Sequence, residues 1–101
     1  MPYERLVALH ITDEVMYAKY RKAMKPILAT YGGYFTSDFK VSEVLLADAD
    51  KSINRIFSIS FPDRLAMETF FSNPEYKLIR NKYFEGSVAN SYVLATYNKE
   101  I

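Results

Sequence analysis

Three polar side chains interrupt two apolar, strand-like segments and are the first candidates for chemistry in this sequence. His10 belongs to the segment 6–11, and Ser58 and Ser60 belong to the segment 56–61. Histidine exchanges protons readily near neutral pH, and hydroxyl groups can orient a ligand or a water beside it. If the segments form neighbouring parallel strands, the three groups cluster, and His10 is the predicted catalytic proton acceptor.

The same pattern also has an interpretation without catalysis. A triad needs a third member, and Asp38 would reach His10 only in one register of the strands. A histidine at a strand end, hydrogen-bonded to backbone or water, explains the sequence at least as well. The role of His10 therefore stays open at this point.

Aromatic residues are the second source of candidates, with nine tyrosines and seven phenylalanines but no tryptophan. Such side chains line small-molecule pockets as well as cores and interfaces. Arg80 follows Tyr76 by one helical turn, so its guanidinium could stack on the ring, which is the simpler interpretation, or hold a carboxylate. The predicted ligand-binding set comprises Tyr20, Tyr34, Ser58, Ser60, Tyr76 and Arg80.

Composition argues against several other classes of function. One histidine and no cysteine exclude sulfur-ligated metals and disulfides, and the sequence shows no spacing typical of metal ligands. Gly32-Gly33 precedes a strand and lacks the Lys-Ser or Lys-Thr of a phosphate loop. A net charge of +1 from scattered basic residues argues against nucleic-acid binding. We therefore predict no metal, no cofactor and no nucleic-acid partner.

The sequence also gives an expectation about location. No apolar run approaches the length of a membrane span. The segment 1–5 leads directly into strand-like sequence and lacks the apolar core and cleavage site of a secretory signal. We predict a cytoplasmic protein without membrane association.

The first half of the chain predicts a strand, a helix and a second strand. Apolar residues occupy both the odd and the even positions of 6–11, as in a strand covered on both faces. Asp13 is placed to cap a helix that ends at Gly32-Gly33, with a kink or short break expected at Pro26. Extended residues then continue from Tyr34 to Leu46, which predicts a long second strand.

The second half predicts a strand, two helices and a final strand. Residues 56–61 alternate until Pro62, and Asp63 then caps a helix. A separate short helix is predicted to begin at Asn73-Pro74-Glu75, because proline favours the first helical position. Residues 92–97 form the last predicted strand.

The order β-α-β-β-α-β predicts one α+β domain over residues 1–101, with a ferredoxin-like four-stranded, antiparallel-type sheet. The helices can cover only one face, which should receive the bulky row Val7, Leu9, Phe57, Ile59 and Phe61. The other face would also be largely apolar, with Leu6, Ala8, Ile56, Val93 and Ala95. Because a monomer would leave that apolar face exposed to water, we predict a sheet-to-sheet homodimer. An open monomer with a ligand-binding face is the alternative.

Several short motifs also carry a family resemblance. They are Tyr17-x-x-Tyr20-Arg21, Tyr31-Gly32-Gly33-x-Phe35, Phe61-Pro62 and the run from Phe70 to Tyr76. Together they resemble a small bacterial family of domains of unknown function within the dimeric α/β-barrel superfamily. The resemblance implies protomers whose sheets pair into a dimeric barrel, each enclosing a cavity between sheet and helices. Cofactor-free monooxygenases, muconolactone isomerases and haem-binding proteins belong to the same superfamily.

Three departures from the family pattern qualify what the resemblance implies. The stretch from Lys40 to Asn54 lacks the usual glycines, so the resemblance implies no unchanged hairpin at the cavity mouth. Asn73 replaces a small hydroxyl residue, and Tyr83 stands where an arginine is common, so no anion site built on that arginine is implied.

Two functional hypotheses follow. The first is a cofactor-independent oxygenase or isomerase, or a binding relative of one, that acts on a small, partly apolar molecule with His10 as proton acceptor. The second is a non-catalytic dimeric binding or accessory module. A roomy cavity with His10 pointing inward would support the enzyme, whereas a filled interior would support the module.

Overall fold

The computed structural model describes residues 1–48 and 50–100. The chain forms β1 (Tyr3–Ile11), α1 (Glu14–Thr30), β2 (Tyr34–Lys40), β3 (Arg55–Phe61), α2 (Arg64–Ser72), α3 (Pro74–Ile79), a π-helical turn (Arg80–Phe84) and β4 (Val88–Asn98). The strands lie in the order β2-β3-β1-β4, with every neighbouring pair antiparallel. The predicted α+β element order is confirmed.

Helix α1 begins where the sequence predicts and crosses the sheet without interruption. The Asp13 carboxylate accepts a hydrogen bond from the Met16 backbone N–H (3.0 Å), and Gly32 leaves the helix with φ of 72°. Pro26 causes no break, because it and Lys22, the residue one turn earlier, both lie on the exposed side of α1. The carbonyl that lacks its helical donor there can bond water instead.

Strand β2 is shorter than the sequence predicts. It ends at Lys40, and the described residues between it and β3 form no strand. Leu45 and Leu46 lack a strand to pair with, and both are 87% exposed. Instead, Asn54 joins this segment to β1 through side-chain hydrogen bonds with the backbone of Ile11 (2.8 and 2.9 Å).

The two helices after β3 begin at the capping residues that the sequence predicts. Asp63 caps α2 by accepting a hydrogen bond from the Ala66 N–H (2.8 Å). Asn73 caps α3 in the same way, because its side-chain oxygen accepts from the Tyr76 N–H (3.0 Å). The predicted separate helix that begins at Pro74 is therefore confirmed.

The two faces of the sheet are assigned by parity and register. The row predicted to face the helices does so, and it forms the core with the buried residues of α1 and α2. We call the opposite side, which carries Leu6 and its register partners Ser58 and Ala95, the outer face. The prediction that Val93 lies on the outer face is wrong, because an irregularity of β4 pairs Val93 with Val7 and turns it to the helix side.

Candidate ligand-binding cavity

A cavity of about 520 Å³ lies between the helix side of the sheet and the helices. Its walls come from all four strands, from α1 and α2, and from the α3 region with its π-helical turn. The lining is mainly aromatic and aliphatic, with few polar groups. It comprises Arg5, Val7, Leu9, Tyr17, Tyr20, Met24, Phe35, Phe57, Ile59, Phe71, Tyr76, Lys77, Arg80, Asn81, Phe84, Ser91 and Val93.

Two buried phenols meet at this cavity. The hydroxyl oxygens of Tyr20 and Tyr76 lie 2.9 Å apart, and the rings pack edge to face. Tyr20 belongs to the buried stripe of α1, and the Asn73 cap fixes Tyr76 in the first turn of α3. Burial raises the pKa of both phenols, so they are neutral hydrogen-bonding groups at physiological pH.

Cationic side chains also line the cavity. Arg80 lies 4.8 Å from the centroid of the Phe84 ring and donates a hydrogen bond to the exposed Glu85 (2.7 Å). Arg5 lies 5.2 Å from the centroid of the Phe71 ring. Arg5 was not among the residues predicted from the sequence, although it interrupts the helix-facing row of β1 two residues before Val7.

An ion-pair network lies behind the cavity wall formed by Tyr17. The Tyr17 hydroxyl accepts a hydrogen bond from Nε of Arg21 (2.8 Å), and Arg21 also contacts Asp38 (3.1 Å). Asp38 in turn accepts two hydrogen bonds from Arg55 (2.8 and 2.9 Å). Because Asp38 pairs with Phe57 in the register, it lies on the helix side and not beside His10, so the triad considered from sequence does not form.

Hydrogen bonds from Arg55, reinforced by the charges of both arginines, hold the pKa of Asp38 below its usual value of 3.8. A depressed folded-state pKa adds stability above the unfolded pKa, and that stability is lost as the pH falls through the folded value. We expect D38N to lower the free energy of unfolding at neutral pH by about 1–2 kcal/mol, since Asp38 is partly exposed.

The difference between wild type and D38N should shrink as the pH falls below about 4, measured by urea unfolding across a pH series. E68Q is the matched control, because Glu68 pairs with Arg64 (3.0 Å) on the exposed surface of α2. It should cost less than about 0.5 kcal/mol. A D38N effect that is constant from acid to neutral pH would contradict the assignment.

The structure separates the predicted site residues into two groups. Tyr20, Tyr76 and Arg80 line the cavity. The others lie on the outer face, where the register places Ser58 opposite Leu6 and Ser60 opposite both Glu4 and Tyr34. His10, Tyr34, Ser58 and Ser60 make up this second group.

The predicted cluster of His10 with the two serines is wrong, although the shared face is confirmed. Strands β1 and β3 run antiparallel, and His10 follows Leu6, the partner of Ser58, by four residues. Four residues of strand span about 13 Å. Ser58 instead joins a buried polar network, in which its hydroxyl lies 2.6 Å from that of Thr36, and Thr36 donates to the Glu4 carboxylate (2.7 Å).

His10 contacts an acid on the outer face. Its Nδ1 lies 3.7 Å from the Asp50 carboxylate, which also accepts a hydrogen bond from Asn90 (3.1 Å). These contacts hold the segment after β2 against β1 and β4. The catalytic role of His10 and the ligand-binding roles of the outer-face residues stay predictions.

The variant H10A tests the role of His10. If His10 serves a ligand, H10A should abolish turnover or ligand retention with almost no change in thermal melting. A structural histidine would behave oppositely, because its loss would cost about 1–3 kcal/mol through unpaired partners while any bound molecule stays in place. Thermal melts and native mass spectrometry of the same preparation separate the two outcomes.

Metal-ligand clusters and helices able to span a membrane are both absent from the described part of the chain. Residues 1–48 and 50–100 contain no group of three or more histidine and acidic side chains placed to hold a metal ion. No helix in these ranges has the length and apolar character to cross a membrane. The predicted cytoplasmic location stays a prediction.

Comparison with protein families identifies the chain. The profile of the Domain of unknown function (DUF1330) matches residues 5–97. The protein belongs to the DUF1330 family. This confirms the resemblance drawn from the sequence motifs, and no match was found among curated proteins.

Solved structures support the same fold. A protein of unknown function from Rhodopseudomonas palustris is similar with a TM-score of 0.79 and 16% identity, covering 99% of this chain and 83% of that one. A ferredoxin-like Dabb family protein from Mesorhizobium loti gives a TM-score of 0.70 and 13% identity, covering 98% and 97%. A dimeric ferredoxin-like protein from Bacteroides fragilis gives 0.61 and 11%, covering 97% and 96%. The ferredoxin-like fold of this DUF1330 protein is therefore confirmed.

Proposed function

We propose that this DUF1330 protein is a homodimer that binds a small, partly apolar molecule in the cavity between sheet and helices of each protomer. The observation that supports this proposal is the cavity of about 520 Å³, whose lining is mainly aromatic and aliphatic. Small-molecule sites are concave, predominantly apolar and furnished with a few convergent polar groups. The phenol pair of Tyr20 and Tyr76 supplies such groups.

The homodimer is supported by apolar side chains that the protomer leaves exposed. On β2, Tyr34 and Phe39 are 58% and 60% exposed on the outer face. Leu45 and Leu46 in the following segment are more exposed still. Burial of such a surface against a second copy is favourable, and similar structures from Bacteroides fragilis and Jannaschia are described as dimeric.

Binding is favoured over catalysis by the chemistry of the lining. A cofactor-independent oxygenase or isomerase needs a group that accepts a proton from its substrate. Among the described lining residues there is no histidine or carboxylate, and His10 lies on the opposite side of the sheet. We therefore propose a binding module, with such an oxygenase or isomerase as the alternative.

A neutral fluorescent probe, N-phenylnaphthylamine, tests the proposed cavity. Val93 lines the cavity yet is 53% exposed, so V93W should fill the space without displacing the core. We expect wild type to bind the probe and V93W to bind it at least about tenfold more weakly. V15W is the matched control, because Val15 lies on α1, outside the lining, and is 71% exposed.

Native mass spectrometry of freshly purified wild type and V93W would identify a ligand that co-purifies with the cavity. If wild type binds no probe, or if V93W and V15W bind it equally well, the proposed cavity function is wrong.

A further inference from the structure

We infer that the ligand of this cavity is an organic anion, with its negative group at Arg5 and its apolar body against the aromatic walls. The inference rests on the proposed function and adds the charge of the ligand. It concerns Arg5, a residue that lies outside the sequence motifs of the family resemblance.

The Arg5 side chain lines the cavity without a protein acceptor for its Nε among the described residues. Arg5 lies on a central strand, where its Cα partners are Ile59 in β3 and Thr96 in β4, so hydrogen-bonded neighbours fix its backbone on both sides. Its Nε is buried and has no hydrogen-bond partner among the described residues. A buried charged donor without an acceptor is costly, so an anion in the cavity that neutralises the Arg5 guanidinium would bind strongly.

The charged side chains of the described lining are all cationic. Arg5, Lys77 and Arg80 all line the cavity, whereas the described lining residues include no aspartate or glutamate. The partner of Arg80, Glu85, lies outside the lining and is exposed. Arg80 is 42% exposed and Lys77 is exposed, so water partly screens their charges, and their positive potential adds to the attraction of Arg5 for anions.

A second cavity in the same protein shows the contrast. It lies on the other side of Tyr17 and includes Arg21 and Arg55, but both arginines are already bound to Asp38. Arginines with an internal counter-ion offer little to an anionic ligand. Arg80 of the first cavity is likewise paired with Glu85, whereas no acid among the described residues pairs with Arg5.

The test compares two probes that share one aromatic body. Anilinonaphthalene sulfonate is N-phenylnaphthylamine with a sulfonate added, so the ratio of their affinities reports the contribution of the negative charge. We expect wild type to bind the sulfonate on the order of tenfold more tightly than the neutral probe. R5M should remove this preference and leave the neutral probe bound, and V93W should weaken both.

R64M is the matched control, since Arg64 lies on the exposed surface of α2 and loses the same charge. It should keep the wild-type preference. If R5M does not fold, R5Q can replace it, because glutamine removes the charge and keeps a polar end group. The ratio of the two probe affinities of wild type tests the anion inference even without a variant. If wild type binds both probes equally, or R5M and R64M act alike, the anion inference is wrong while cavity binding stands. If neither probe binds the cavity, the proposed function itself fails.

Discussion

Replacement of Phe70 by alanine is expected to lower the free energy of unfolding by about 3–5 kcal/mol. Phe70 is fully buried, and its ring centroid lies 4.4 Å from that of Tyr76 and 5.7 Å from that of Phe61. Helices α2 and α3 and strand β3 therefore meet at this one side chain. Its truncation removes apolar burial and leaves a space that rigid aromatic neighbours fill poorly.

The measurement for F70A is the midpoint and slope of urea unfolding. L65A, in the same helix with its side chain 71% exposed, is the control and should change stability by less than about 0.5 kcal/mol. Since Tyr76 loses its support, F70A should also weaken binding of the neutral probe. A cost below about 1 kcal/mol would show that Phe70 does not anchor α2 and α3 to the sheet.

Replacement of Leu6 by arginine is expected to convert the proposed homodimer into a monomer. Leu6 is half-buried on the outer face of the central strand β1, between Ser58 and Ala95. A face-to-face dimer would bury the new charge between the two outer faces, and an unpaired buried charge costs several kcal/mol.

Sedimentation velocity at micromolar concentration measures the effect of L6R. The protomer should stay folded, because the side chain at position 6 points away from the helix-facing core, and circular dichroism checks this. L78R, on an α3 position that is 70% exposed, adds the same charge elsewhere and should leave the dimer intact. A wild-type monomer, or an L6R protein that sediments as a dimer, would contradict the proposed interface.

The helix starts and the strand alternation of the chain could be predicted because they depend on neighbours in sequence. Asp13, Asp63 and Asn73 cap helices wherever the following residues are helical, and each does so in the structure. Alternation in β3 likewise separates Ile59 from Ser58, because successive strand residues point to opposite faces. These rules were enough to predict the element order and the helix-facing row.

The distances between side chains on neighbouring strands were decided only by the tertiary structure. The predicted antiparallel-type sheet already implied opposite directions for β1 and β3. Their register moves His10 away from Ser58, and nothing in either segment fixes that register. The irregularity near Val93 reverses its face, an effect that alternation alone cannot predict.

The family motifs and the element order follow from the sequence by itself, because they depend on residue type and on neighbours along the chain. The cavity needed the folded chain, because it is the space left where side chains of the sheet and of the helices fail to fill the gap between them. In sequence, Arg5 is one charged residue in a strand. The fold brings it, Lys77 and Arg80 to one lining that contains no described acid, since packing determines which side chains share a volume.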